Sequence, residues 1–160
     1  MILSTHAVVG GAIASLCPSH PILVAVAAFA SHFAIDAIPH WDYPLPISLK
    51  PGANNLRPIM DRRLFLALAI VGFDACAGLL IAIWLFATPP TIGVIVLGAL
   101  AGMAPDPLWV VHKLFPNRPL AALQRFHRWI HTKWKLRWPL GISSQALLAA
   151  AVSWAVLTVR

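Results

Sequence analysis

Three long runs of the sequence contain almost no charged residue, and they constrain the fold more than any other feature. Residues 1–35 carry none apart from histidines, residues 64–105 carry only Asp74, and residues 139–159 carry none. A helix needs about 20 consecutive apolar residues to cross a bilayer, so every run is long enough to span it. The sequence therefore predicts an all-α integral membrane protein, a helical bundle forming a single transmembrane domain over residues 1–160.

Prolines and turn residues divide these runs into five main helices, at about residues 4–16, 21–38, 62–87, 92–104 and 140–157. Two shorter helices are expected at the membrane interface. One opens at residue 106, with Asp106 as the N-cap and Pro107 at the first helical position. The other covers residues 117–134, which are basic and aromatic. The Pro- and Gly-rich segment 44–58 is expected to be an irregular loop.

A short internal similarity indicates two related hairpins, residues 1–42 and 62–109. Each hairpin ends in a proline followed by a polar ligand type, at Pro39-His40 and at Pro105-Asp106. Each helical residue advances the chain by about 1.5 Å. Counted from the turn of each hairpin, His6 lies at nearly the same depth in the membrane as His32, and Asp74 lies at nearly the same depth as Asp106. A duplication would bring these side chains toward one shared axis.

The basic residues are confined to alternate loops. The net charge is +7, and eleven of the twelve Lys and Arg residues fall in segments 50–63 and 113–137. Under the positive-inside rule both segments are cytoplasmic. This pattern predicts a multi-pass protein of the bacterial inner membrane, with the N-terminus in the cytoplasm and the C-terminus on the opposite side. Nucleic-acid binding is the weaker interpretation of the charge.

The ionisable residues of the apolar segments are aspartates and histidines. All five acidic residues are aspartates, and four of them lie inside or beside apolar segments. Such groups are costly at membrane depth unless they face a cavity or one another. They are also ligands for zinc and related divalent ions. The sequence predicts a metal site, whose expected ligands are His6, His32, Asp36, His40, Asp42, Asp106, His127 and His131.

Two pairs of these residues have the spacing that places both side chains on one face of a helix. His32 and Asp36 are four residues apart, as are His127 and His131, so each pair can reach a single ion. The alternative for the first pair is a helix end satisfied by backbone and water. The alternative for the second is contact with lipid headgroups.

Three aspartates are the candidates for catalysis, namely Asp36, Asp74 and Asp106. The predicted helix cap at Asp106 is compatible with a role in the site. Asp74 lies in the middle of a predicted span and must therefore pair with another group. His40 and Asp42 follow the second helix, where they are either further ligands or interfacial polar residues.

Arginines border the face on which most of these ligands are expected. A guanidinium matches a phosphate in bidentate geometry, so they are candidates for holding the headgroup of a phosphate-bearing lipid. The alternative is that they serve as a topology signal and contact membrane lipids in general. The four residues are Arg62, Arg63, Arg125 and Arg128.

Three short stretches resemble the YdjM-like family of predicted inner-membrane, metal-dependent hydrolases. They are Thr5-His6 before a helix of small residues, the element from Pro39 to Pro44, and the later His127-Arg128-x-x-His131. By position, His6 matches the early family histidine, and His127 and Arg128 match the His-Arg pair.

In the same alignment of motifs, His40 and Asp42 stand at the positions of two family aspartates, and Tyr43 stands where the family has a histidine. The second family histidine lies one residue beyond the position of His131. The resemblance implies a metal-dependent hydrolase with a ligand style similar to that of zinc-dependent phospholipase C enzymes.

The predicted function is therefore hydrolysis of an ester or phosphoester, including a lipid-linked one, at the cytoplasmic face of the membrane. One or two Zn²⁺ ions are the expected cofactor, with Mn²⁺ as the alternative. Two other classes stay open at this point. One is a divalent metal-ion transporter, which would need ligands near the midplane. The other is a non-catalytic membrane protein that binds haem or lipid.

Overall fold

A computed structural model describes residues 1–46, 49–51, 56–58, 61–114 and 118–160. This part of the chain contains seven helices and one short antiparallel hairpin of two strands, β1 (Leu49–Pro51) and β2 (Leu56–Pro58). The all-helical prediction therefore holds apart from this hairpin, which lies in the segment expected to be irregular. The helices are α1 (Leu3–Leu16), α2 (Pro21–Asp36), α3 (Arg62–Phe86), α4 (Ile92–Met103), α5 (Pro105–Leu114), α6 (Arg118–Ile130) and α7 (Trp138–Val159).

Helix α1 lies at the centre of the bundle and contacts α2, α3, α4 and α7. Eleven of its fourteen residues are buried, and most of them are small. Its backbone touches that of α4, because a Cβ on Gly98 would lie 2.5 Å from the carbonyl oxygen of Gly10. A Cβ on Gly102 would lie 2.6 Å from the carbonyl oxygen of His6. These glycines bring the first turns of α1 against the last turn of α4.

Among the described residues, two helices are long and apolar enough to cross a membrane, α3 with 25 residues and α7 with 22. Helices α4 and α5 meet the same test together, although they are bent by 47° where they join. Helices α1 and α2 have 14 and 16 residues, close to the predicted lengths and fewer than the about 20 residues that a helix needs to cross a bilayer. Large apolar side chains of α3 are exposed, among them Phe65, Phe73, Leu80 and Trp84.

Three details of the helix prediction are wrong. Asp106 is not the N-cap of α5, because α4 runs almost directly into α5 and Pro105 takes the first helical position. Proline is tolerated there since its missing N–H would have no intrahelical partner. The interfacial helix ends at Ile130 and not near residue 134. Helix α2 ends at Asp36, two residues before the predicted end.

Candidate metal centre

Asp36 is the centre of a cluster of imidazoles where the start of α1, the end of α2 and the start of α5 meet. Its carboxylate is fully buried in the last turn of α2, where the negative end of the helix dipole disfavours an anion. Positive charge must therefore come from its surroundings. Five Nε2 atoms approach its two oxygens, those of His127 at 3.0 Å, His32 at 3.2 Å, His6 at 3.3 Å, His131 at 3.6 Å and His40 at 3.9 Å.

Backbone carbonyl groups fix the tautomers of three of these imidazoles. Nδ1 of His32 lies 2.9 Å from the oxygen of Gly102, Nδ1 of His40 lies 2.7 Å from that of Ile38, and Nδ1 of His131 lies 3.1 Å from that of Thr132. A carbonyl oxygen can only accept, so each Nδ1 donates. In the neutral imidazole Nε2 then carries a lone pair. Three lone pairs consequently point toward carboxylate oxygens.

Several buried imidazole nitrogens have no hydrogen-bond partner within the described residues. They are both ring nitrogens of His6 and the Nε2 atoms of His32 and His40. The rings of His6 and His32 stack with centroids 3.9 Å apart, and two stacked imidazolium cations would repel each other. Buried polar atoms are rarely left unpaired in native proteins. A cation between the lone pairs and the carboxylates would satisfy the Nε2 atoms of His6, His32 and His40.

The donors form two groups that share Asp36. The first contains His32, Asp36, Asp106 and His127, and the second contains Asp36, His40 and His131. Within each group the ligand atoms lie within 4.8 Å of one another. Tetrahedral zinc with bonds of about 2.0–2.1 Å places its ligand atoms about 3.3 Å apart. Nε2 of His32 lies 3.5 Å from Oδ1 of Asp106 and 3.2 Å from Oδ2 of Asp36, so the first group fits such an ion.

Asp42 borders the second group and belongs to a charged network. Its carboxylate accepts from the α-amino group of Met1 at 2.8 Å and from Nζ of Lys135, and its Oδ1 lies 2.7 Å from Nε2 of His40. Burial alone would raise the pKa of Asp42, but these partners outweigh burial and hold it below its usual range. The α-amino group also lies 3.0 Å from Oδ1 of Asp36. The α-amino group of Met1 therefore bridges the carboxylates of Asp36 and Asp42.

Two backbone hydrogen bonds bring the segment after α6 against the end of α2. The N–H of Thr132 donates to the carbonyl of Asp36 at 2.9 Å, and the N–H of Leu136 donates to that of His40 at 3.1 Å. This pairing explains why α6 stops at Ile130, because the following residues bond to another segment. It also sets His131 beside His40, with ring centroids 4.8 Å apart. Burial lowers the pKa of His131, which favours its neutral form.

The structure thus brings all eight predicted metal ligands together, which the shared-depth argument expected for His6 and His32. Asp74, whose predicted partner in depth was Asp106, lies outside both donor groups. Its carboxylate accepts from the N–H of Ser4 at 2.9 Å, in the first turn of α1. Burial and a hydrogen bond to Asp74 raise the pKa of Tyr43. Asp74 is therefore paired with the backbone of Ser4 in the first turn of α1 and with the phenol of Tyr43.

The four arginines of the predicted headgroup site occupy different places. Arg128 on α6 lines a cavity of about 550 Å³ together with Asp106, His127 and His131. Arg62 and Arg63 lie in the first turn of α3. Arg125 is exposed on α6, outside the residues that line this cavity.

One residue that holds the site together is not among the predicted candidates. Gln145 of α7 is buried; its Oε1 accepts from the N–H of Ile2 at 2.7 Å, and its Nε2 donates to the carbonyl of Trp41 at 3.0 Å. It therefore ties the segments before α1 and after α2 to α7. The available signal was a long amide side chain inside the uncharged run 139–159.

Comparison with protein-family models, with curated proteins and with solved structures finds no match to this chain. The resemblance to the YdjM-like family therefore stays a prediction. A function must therefore be inferred from the residues of the site.

Proposed function

We propose that this protein is a membrane-embedded, metal-dependent hydrolase that acts on an ester or phosphoester at the cytoplasmic face of the membrane. The observation that carries the proposal is the convergence of fixed imidazole lone pairs on a buried carboxylate. His32, His40 and His131 each use Nδ1 on a backbone carbonyl and turn Nε2 toward an aspartate. Such second-shell bonds are typical of histidines that bind metals.

The exposed apolar surface supports membrane insertion. Only 11% of the most apolar window of α3 and 17% of that of α7 are buried inside the protein. A soluble monomer rarely exposes contiguous apolar area on this scale. The placement of Lys and Arg supports an orientation with the N-terminus in the cytoplasm of a bacterial inner membrane. The metal cluster would then lie at the cytoplasmic ends of α1 and α2.

The first donor group would hold the catalytic ion, and the second, which shares Asp36, would hold another. The two imidazoles of this group and the carboxylate of Asp36 suit Zn²⁺ and leave a fourth position for water or substrate, and Mn²⁺ is the alternative. A divalent ion bound there supplies Lewis acidity, which polarises the scissile group and makes water a nucleophile near neutral pH. Asp106 is 32% exposed and lines the cavity, so its carboxylate can orient a water molecule and accept its proton. Arg128 would hold the anionic part of the substrate.

Divalent metal-ion transport is the second candidate function. His6 is in the first turns of α1, His32 and Asp36 are in the last turns of α2, and Asp106 is in the first turn of α5. The first turn of α1 bonds to Asp74 in the middle of α3, so these donors lie level with the middle of the longest span, and a transporter needs its ligands at that depth. The cavity lined by Asp106 and Arg128 favours hydrolysis, because it can hold a substrate larger than an ion.

The proposal is tested with purified protein in detergent and a panel of p-nitrophenyl reporters that includes a phosphomonoester, a phosphodiester and a carboxylic ester. We expect at least one reporter to be hydrolysed, the activity to be lost to a chelator, and zinc or manganese to restore it. Asp61→Asn serves as the control, because Asn also caps a helix and Asp61 caps α3 away from the cluster. Tightly bound metal without turnover of any reporter would contradict hydrolysis.

A further inference from the structure

The cavity beside the metal cluster is polar at one end and apolar over the rest of its wall. Asp106, His127 and Arg128 line the polar end. The remaining wall comes mainly from hydrophobic side chains on three segments, including Leu45 after α2, Leu68 and Val71 on α3, and Val110 and Val111 on α5. Its volume of about 550 Å³ is within the usual range for a small-molecule site, about 300–1,000 Å³.

Two residues of the apolar wall are also accessible from outside the bundle. Leu68 is 40% exposed and Val111 is 41% exposed. Leu68 lies on α3, which is apolar enough to cross a membrane and exposes most of its large side chains. The cavity thus borders a surface that would contact hydrocarbon in a bilayer. An apolar chain can enter from that side without crossing water.

The charge at the polar end of the cavity determines which polar group the ligand can carry. Three aspartates of the cluster would repel an anion if no cation lay among them. With a divalent ion bound and Arg128 nearby, the same end would attract a phosphate, which accepts hydrogen bonds from a guanidinium in bidentate geometry. A phosphate attached to a hydrocarbon chain therefore matches both ends of the cavity.

We propose that this cavity binds the single hydrocarbon chain of an amphiphilic phosphate ester, with the phosphate at the metal cluster and Arg128 and the chain between α3 and α5. The inference rests on the proposed function, which supplies the cation that the phosphate needs. It adds the substrate class, the place of the chain and the lateral route of entry.

The test uses the full-length protein in liposomes and hexadecyl phosphate that carries a diazirine in the middle of its chain. After illumination, mass spectrometry locates the labelled residues. We expect labelling on Leu68, Val71 or Val111 that saturates with probe and is suppressed by excess unlabelled hexadecyl phosphate. Inorganic phosphate at the same concentration should suppress it far less, since it lacks the chain.

Two variants narrow the cavity at accessible positions, Leu68→Trp and Val111→Trp, and each should reduce the saturable labelling at least tenfold. Leu80→Trp is the matched control, because Leu80 is on the same helix, is 65% exposed and is not part of the cavity wall. This control should label like the wild type. Labelling spread over the outer face of α3 without saturation, or unchanged in both narrowing variants, would overturn the inference.

Elemental analysis of the same samples separates this inference from the proposed function. Metal in the protein together with unsaturable labelling overturns the chain site alone. Saturable labelling of the cavity in protein that binds no metal supports the chain site and overturns the metal-dependent function. Suppression by inorganic phosphate as strong as that by hexadecyl phosphate would identify a free phosphate site and overturn the chain.

Discussion

Nδ1 of His32 donates to the backbone carbonyl of Gly102 over 2.9 Å, and this bond turns Nε2 of the same ring toward Asp36 at 3.2 Å. The last turn of α4 thus orients a predicted ligand on α2. The same glycine packs against His6, so the contact between α1 and α4 positions two imidazoles at once.

Gly102→Ala should weaken metal binding and destabilise the fold. The added Cβ would lie 2.6 Å from the carbonyl oxygen of His6, so α1 and α4 must separate. Overpacking of this kind costs roughly 1–3 kcal/mol, and disturbing a second-shell bond lowers metal affinity by roughly 10–100-fold. Gly93→Ala is the control on the same helix, since its Cβ would meet nothing within 4 Å. Thermal melting and metal titration in detergent measure the two effects. Equal melting temperatures and equal metal affinities for Gly102→Ala and Gly93→Ala would contradict the prediction.

Asp74→Asn should leave both hydrolysis and the metal content nearly unchanged, because Asp74 lies outside both donor groups and outside the residues that line the cavity. Asn also accepts from a helix N-terminal N–H, so the bond to Ser4 is kept and the fold should lose less than about 1 kcal/mol. Turnover and elemental analysis of the same preparation provide the measurement. Loss of turnover in protein with full metal content would contradict this expectation and would make Asp74 a group that the reaction needs.

Metal affinity should fall steeply as the pH is lowered from about 7 to about 5, because imidazoles with an ordinary pKa of about 6.5 bind metal only when unprotonated. Burial lowers the pKa of His131, so this ligand stays neutral and available at neutral pH. The unfolded chain takes up this proton more readily than the folded one, so the metal-free fold also loses stability below about pH 6.5. Competition with a chromogenic chelator at several pH values measures the affinity. An affinity independent of pH would exclude imidazole ligands.

Reporter fusions should place the N-terminus in the cytoplasm and the C-terminus outside it. The reason is the restriction of eleven of twelve basic residues to segments 50–63 and 113–137, under the positive-inside rule. Fusions of alkaline phosphatase and green fluorescent protein at each end give opposite signals for the two compartments. Both termini in one compartment would require an even number of spans.

The i, i+4 pairs were the part of the site that the sequence could predict. Helix geometry alone places His32 with Asp36, and His127 with His131, and the packing of α2 near α6 then directs both pairs to one carboxylate. Turn prolines also located the five main helices, because proline cannot continue a helix. Local rules were sufficient for these features.

Features that depend on long-range contacts were not predictable in the same way. The end of α6 is set by the bond from Thr132 to Asp36, which are 96 positions apart in the chain. The role of Gln145 depends on α7 packing beside residues 2 and 41. The central position of α1 could not be predicted from hydropathy, because a helix buried in the centre of a bundle is as apolar as one that faces lipid.

The most direct measurement is the metal content and coordination of the purified protein after reconstitution with zinc, compared between wild type, Asp36→Asn and the control Asp61→Asn. We expect wild type and the control to hold one or two ions per chain. X-ray absorption should show nitrogen and oxygen ligands at about 2.0–2.2 Å with imidazole scattering. Asp36→Asn should hold less than about a tenth of that metal, because the carboxylate shared by both donor groups is lost. Wild-type protein without metal, or Asp36→Asn with full metal content, would contradict a metal centre built on Asp36.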